Sequence, residues 1–350
     1  GLTVHTLYSS YPVWRRAWVS LRNPQVLPEV RRILTEFRPE IVHAHNVHTH
    51  LSYASLKVAH ELGARVVLTA HDAMTVEYGK LVPRGGDLRV SPLRQFLTQR
   101  HRYNPLRNAT IKRYLKYVDR IVAVSHALKR ALEANGITNV EVIYNGIRVE
   151  DWEVAESAVA AFRERFELAN KKTILFGGRL SKLKGAETAV RVLAEVAKTV
   201  PNATLLIMGR QGPYAKEIKA LARTLGVVDR LIFTGWISGD ELRAAYHASD
   251  VVAVLSIYLD PFPTITLEAM ACGKPVIGTS LGGTSEAIED GVTGYVVDPC
   301  NTAEAGKKTA ELLTDDARSA AFGQQGRRRV SQVFSLESAV DAYSAICTNI

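Results

Sequence analysis

Residues 256–299, SIYLDPFPTITLEAMACGKPVIGTSLGGTSEAIEDGVTGYVVDP, decide the fold. The segment begins where the apolar run 251–255 ends, turns through Pro261 and Pro263, and is expected to enter a short helix at Thr264 and Ile265. A second apolar run, 275–278, follows Gly273, and Gly282 with Gly283 opens another helix. Strand, turn, helix, strand, glycine turn and helix in this order place free backbone N–H groups and two helix N-termini at one edge of a parallel sheet, where anionic ligands bind. Glu268 sits inside the apolar segment 267–272, where a carboxylate is costly unless hydrogen-bonded. A capping box does not explain it, because the residue three positions before is Ile265. Glu268 is therefore read as a ligand-binding carboxylate, with Asp260 eight positions before it.

Working outward, the same alternation covers the chain. Strands are expected at 173–176, 204–208, 231–233, 251–255, 275–278 and 294–297, with helices between them. Earlier strands are expected at 3–7, 40–43, 65–69, 120–124 and 140–143, and helices at 24–37, 49–62, 106–118 and from Ser125. Strands alternating with helices imply parallel sheets and right-handed crossovers. Asn145-Gly146 breaks the pattern, residues 150–170 read as a charged linker, and 72–105 as a long basic loop. A chain of 350 residues exceeds one core. The expectation is two doubly wound α/β domains, 1–165 and 166–333, followed by an amphipathic helix over 334–350.

Composition narrows the class. Hydrophobic residues make up 47% of the chain, and no apolar run reaches the length of a membrane span. Three scattered cysteines show no metal spacing and favour a reducing cytoplasm. Of the net charge of +9, much lies between Arg84 and Arg130, where about a dozen Lys and Arg face only Asp87 and Asp119. Two readings stand: a solvated helical face, or attraction to an anionic membrane surface or a phosphate-bearing acceptor. No nucleic-acid motif accompanies the charge, so nucleic acid is not an expected partner.

The second informative segment is Gly177-Gly178-Arg179-Leu180-Ser181-Lys182-Leu183-Lys184-Gly185. A helix N-terminus disfavours positive charge, so three cations at the turn feeding one suggest a compensating anion. Gly209 after a strand is ordinary turn chemistry by itself. His43, His45, His48 and His50 invite a metal reading, but no carboxylate or cysteine completes a site at ligand spacing, and no metal is expected. His71 directly follows the strand 65–69, at the carboxyl end where doubly wound sheets place ligands.

The pattern from Asp260 through Glu268 to A-M-A-C-G-K-P-V, with the turn at 177–185, resembles the retaining GT-B glycosyltransferases of family four. Asp260 stands where the family has Glu, and Phe262-Pro263 where it has Phe-Gly. The resemblance implies a GT-B fold of two Rossmann-like domains facing a cleft, with the last helix crossing back onto the N-terminal domain. The family begins with one more strand, a glycine-rich turn and a helix, so the N-terminal domain is expected to lack its first strand and helix. The implied activity is transfer of a hexose-type sugar, with retention, from a nucleoside diphosphate sugar (UDP, GDP or ADP) to a saccharide or lipid-linked acceptor, without a metal. By resemblance, Arg179 and Lys184 hold the diphosphate and Glu268 the ribose hydroxyls. Asp260 meets sugar hydroxyls, and His71 faces sugar and acceptor. Gly178, Gly209, Ile237 and the turn Phe262, Pro263, Thr264 and Ile265 contact the donor. The implied location is cytoplasmic and peripheral at the inner membrane face, in glycan, polysaccharide or glycolipid synthesis. A nucleotide-sugar epimerase of the same fold and a non-catalytic nucleotide-sugar-binding protein remain alternatives.

Overall fold

The computed structural model describes residues 2–83 and 85–350, so Arg84 of the basic segment lies outside the described residues. The chain divides into two compact units: Gly1–Tyr144 with Asp341–Ile350, and Asn145–Val340.

The first unit holds a four-stranded parallel sheet in the order β1 (Ile41–His45), β2 (Arg65–Ala70), β3 (Arg120–Ala123) and β4 (Val140–Val142). β2 is buried from its second residue onward, so its β-branched run Val66–Val67 reads as continuous rather than alternating hydrophobicity. The strand expected at 3–7 does not form: residues 2–12 have no regular secondary structure and β1 is the sheet's edge. The segment instead bonds to a loop, Ser10 N–H donating to Gln25 Oε1 at 3.0 Å and Gln25 Nε2 to Ser10 O at 2.9 Å.

The expected loop 72–105 is also not all loop. Helix Pro92–Gln99 forms within it, with Ser91 Oγ accepting from Arg94 N and Pro at the first turn.

The second unit holds a six-stranded parallel sheet in the order β10-β9-β8-β5-β6-β7. Its strands are β5 (Lys172–Phe176), β6 (Ala203–Met208), β7 (Leu231–Gly235), β8 (Val251–Val254), β9 (Val276–Thr279) and β10 (Gly294–Val297). β5 pairs with both β6 and β8, so the winding reverses between β5 and β8. In open parallel sheets this switch point opens a crevice at the strands' carboxyl ends. Residues 150–170 prove helical rather than linker-like. Helix Glu156–Arg165 buries Phe162, and Arg163 Nη1 donates to Ala248 O at 2.7 Å at the end of helix Gly239–Ala248. Apart from Arg163, the charged residues of this segment are exposed, which is what made it look like a linker.

Among the described residues, no helix is long and apolar enough to cross a membrane.

Candidate functional site

Four loops leave the carboxyl ends of β5, β6, β7 and β8 in the second unit, and they enclose a cavity of ≈ 680 Å³. That size suits a ligand of drug-like dimensions. Gly178, Arg179 and Lys184 come from the first loop, Gly209 and Arg210 from the second, Trp236, Ile237 and Ser238 from the third. Pro263, Thr264, Ile265 and Glu268 come from the turn after β8 and helix Thr264–Ala271. The sequence-derived site residues are thus brought together, with three exceptions: Asp260, Phe262 and His71.

Two glycines permit this closeness. Gly185 has φ +83°, and a Cβ there would lie 1.8 Å from Leu255 O, so the β5 and β8 loops touch only because no side chain intervenes. Ile257 N–H donating to Leu183 O at 2.9 Å ties the same two loops. Gly209 has φ +128°, and its Cβ would lie 2.6 Å from Gly178 O.

The cations are arranged differently from one another. Arg179 is exposed and enters no ion pair among the described residues. Lys184 Nζ lies 2.6 Å from Asp260 Oδ2, and Ser256 Oγ donates to the same oxygen at 2.7 Å. Asp260 is buried and does not line the cavity; its carboxylate faces Lys184 and Ser256. Phe262 is buried too, its ring 5.5 Å from that of Phe334. Helix Thr264–Ala271 adds the amides of Thr264 and Ile265, which have no acceptor within the helix; Thr266 N–H donates to Pro263 O at 3.1 Å, and Pro263 supplies no side-chain cap. A diphosphate is the kind of anion that such a set of cations and amides accepts.

Glu268 has its partner. The buried Tyr246 hydroxyl donates to Glu268 Oε2 at 2.5 Å. Burial, and then the Glu268 carboxylate, hold the Tyr246 phenol well above its ordinary pKa, so it stays a donor. One Glu268 oxygen is thereby fixed while the side chain still lines the cavity, leaving acceptor capacity for hydroxyl groups. Sequence reading missed Tyr246; the available signal was a lone Tyr in an Ala-rich helix, a residue whose buried hydroxyl needs a partner. Met208 and Leu242 form an apolar wall, and the Arg210 guanidinium sits 5.6 Å from the Trp236 ring centroid.

In the first unit, β1 and β2 deliver a histidine cluster. His45 Nδ1 and His71 Nε2 are 2.8 Å apart, His43 Nε2 lies 2.8 Å from Thr69 Oγ1, and Tyr343 OH lies 3.0 Å from the same hydroxyl. His71 N–H donates to Asn46 Oδ1 at 3.1 Å. Loss of hydration, then the neighbouring rings, lower the pKa of His71 below its ordinary value, and that of His43 to about 4. His71 is therefore a neutral ring at neutral pH, able to donate or accept without adding charge. Among the described residues, no group of three or more His, Cys, Asp or Glu is placed to hold a metal ion.

The family described as glycosyl transferases group 1 matches residues 160–329, and that described as glycosyltransferase family 4 matches residues 2–151. A Mycobacterium tuberculosis protein named GDP-mannose-dependent alpha-(1-6)-phosphatidylinositol monomannoside mannosyltransferase is 30% identical over 287 residues, 76% of this chain and 74% of the relative. Among solved structures, sucrose-phosphate synthase from Thermosynechococcus elongatus superposes with a TM-score of 0.76 at 22% identity, covering 97% of this chain and 80% of that one. Anabaena HepE in complex with UDP-glucose gives a TM-score of 0.74 at 22% identity, covering 93% and 82%. These two likenesses establish the fold. With the family matches at both ends of the chain and the relative spanning most of it, this chain belongs to the glycosyltransferases of group 1 and family 4, transferase enzymes of the GT-B fold.

Proposed function

We propose that this enzyme takes a hexose-type sugar from a nucleoside diphosphate sugar bound in the cavity of the second unit and transfers it, with retention, to an acceptor hydroxyl. The observation that carries the reading is the convergence of Arg179, Lys184, the N-terminal end of helix Thr264–Ala271 and the tethered Glu268 on one ≈ 680 Å³ cavity. The mannosyltransferase relative is named for a GDP-mannose donor, which agrees with this donor class.

Breaking the anomeric C–O bond sends its electron pair to the diphosphate and leaves positive charge on the sugar. Arg179, Lys184 and the first amides of helix Thr264–Ala271 meet the developing phosphate charge. Groups fixed beforehand lower such a barrier, and losing one costs about 3–4 kcal/mol, about 10²–10³ in rate. The acceptor oxygen forms the new bond from the face the diphosphate leaves, and its proton goes with the departing phosphate oxygen. Glu268 accepts from the ribose hydroxyls. Asp260 positions Lys184, which it holds at 2.6 Å. His71, as a neutral ring bonded to His45, orients the sugar and acceptor hydroxyls. Fixed cations meet the diphosphate charge that a bound divalent ion would otherwise neutralise, so turnover is expected in EDTA.

The first unit also presents a basic, apolar surface: Leu93, Phe96 and Leu97 are exposed on helix Pro92–Gln99, as are Trp14 and Trp18, among Arg15, Arg89 and Arg100. Such a surface favours an anionic membrane face, consistent with a peripheral enzyme making a glycolipid or polysaccharide. The test is turnover with a panel of α-linked nucleotide hexoses, following diphosphate release and the anomeric proton of the first product by NMR. An α-linked first product supports retention, and a β-linked one refutes it. An altered sugar released without acceptor would instead mark an epimerase.

A further inference from the structure

The first unit encloses a second, smaller pocket that the proposed chemistry does not use. It is about 80 Å³ and lined by Arg16, His48, Tyr78, Gln99, Arg102 and Arg107, among others. One ordered water needs about 10–15 Å³ by this measure, so the space holds a group of several non-hydrogen atoms.

The pocket is cationic and its cations lack counterions. Arg107 is 2% exposed, yet its guanidinium donates only to neutral oxygens, Nη1 to Asn108 Oδ1 at 2.8 Å and Nη2 to Met74 O. Its other neighbour is the Tyr78 ring, 4.8 Å from the guanidinium carbon. Arg16 Nη2 donates to Thr49 Oγ1 at 3.4 Å and to Met74 Sδ at 3.1 Å, while its buried Nε has no hydrogen-bond partner among the described residues. Among the described residues, no carboxylate comes within ion-pair distance of Arg16, Arg102 or Arg107. The two nearby carboxylates are engaged elsewhere. Asp72 accepts from Met74 N at 2.8 Å and lies 3.4 Å from His48 Nε2, and Glu77 accepts from Gln95 Nε2 at 3.2 Å. Burial is the main cause that lowers the pKa of Arg107; Arg16 adds a smaller lowering, against which the Tyr53 and Tyr78 phenols and Glu77 act.

A buried, unpaired guanidinium is expensive, and folds retain such groups where a ligand supplies the missing charge. Guanidiniums from three separate segments suit a tetrahedral group with several oxygens, whereas a carboxylate is met by one bidentate Arg. We propose that this pocket binds a phosphate group carried by the sugar acceptor, a monoester or diester held by Arg16, Arg102 and Arg107. The assignment to an acceptor rests on the transferase reading above. The phosphate belongs either to a soluble phosphorylated acceptor or to a lipid headgroup.

The test is thermal unfolding of the full chain with inorganic phosphate, against acetate and chloride at matched ionic strength. It compares wild type, Arg16→Gln, Arg102→Gln and Arg179→Gln, with nucleoside diphosphates titrated in parallel. Arg102 is exposed, so its variant reports binding even where Arg16→Gln folds poorly. Phosphate alone is expected to raise the melting temperature of wild type and Arg179→Gln, with affinity falling at least about tenfold in Arg16→Gln and Arg102→Gln. No phosphate response overturns the inference, as does an equal response to acetate or one lost in Arg179→Gln but kept in Arg102→Gln. Phosphate binding without nucleotide binding would leave the pocket standing and sink the donor site; the reverse would do the opposite. Glycerol 3-phosphate and vesicles of phosphatidylcholine with phosphatidylglycerol separate the two sources. An Arg102-dependent response to the first marks a soluble acceptor, and to the second alone a lipid headgroup.

Discussion

Replacing Lys184 in the ligand-free enzyme is expected to cost much more stability than neutralising its partner. The Lys184–Asp260 pair joins the two loops at the switch point, with 2.6 Å between Nζ and Oδ2. The partners are unequally sheltered: the Lys184 side chain is 26% exposed and that of Asp260 only 6%. Lys184→Met leaves a buried carboxylate with Ser256 Oγ as its remaining side-chain donor. Breaking a buried pair this way costs about 3–5 kcal/mol. For a unit of this size about 2–4 °C accompanies each kcal/mol, so the melting temperature should fall by about 6–20 °C. Asp260→Asn keeps a group that Ser256 can bond, and Lys184 can turn to water, so the cost should be about 1–3 kcal/mol. The double variant Lys184→Met/Asp260→Leu should be more stable than Lys184→Met alone, because no charge remains stranded. Calorimetry or urea unfolding of these proteins, with the single variant Asp260→Leu added to close the cycle, measures the coupling. Additive effects, or Asp260→Asn destabilising more than Lys184→Met, would refute the pair.

Tyr246→Phe keeps the ring that packs edge-on against Trp152 and removes the bond to Glu268; nucleoside diphosphate affinity should fall about tenfold by titration calorimetry, a loss of about 1.4 kcal/mol. Gly209→Ala places a Cβ 2.6 Å from Gly178 O at a φ of +128°, so it should destabilise by about 1–3 kcal/mol and weaken donor binding. For His43, the folded pKa of about 4 lies below the unfolded value of about 6.5, so its contribution is fully present above pH about 6.5 and fades as pH falls toward about 4. A ring that stays neutral by NMR down to about pH 5 supports this; titration near 6.5 contradicts it.

The second unit was legible because its information is local. Each strand ends in a glycine or proline turn and a helix follows, so Glu268 in an apolar helix and the cations at 179–184 stand out in a short stretch. Pairings across the chain were not legible. Tyr246 meets Glu268 from a different helix and Lys184 meets Asp260 from a different loop, and no spacing rule announces either contact. Asp260 read as a contact to sugar because a motif gives residue types, whereas its burial and partners come from packing. In the first unit, the short stretch 3–7 stays outside the sheet, whose edge strand is β1. The basic composition of 84–105 concealed Ser91-Pro92, an ordinary helix start. Residues 150–170 hid a helix whose anchoring face shows only as Phe162.

The most direct measurement is thermal stabilisation by UDP, GDP, ADP and their hexose conjugates, with and without EDTA, on wild type, Arg179→Gln and Glu268→Gln. Arg179 is the better probe than Lys184, since it is exposed and takes no part in the internal pair. The account predicts that one nucleotide raises the melting temperature by mass action, equally in EDTA, and that both variants weaken it by about tenfold or more. Stabilisation by no nucleotide, or stabilisation that both variants leave unchanged, would contradict the placement of the donor in this cavity.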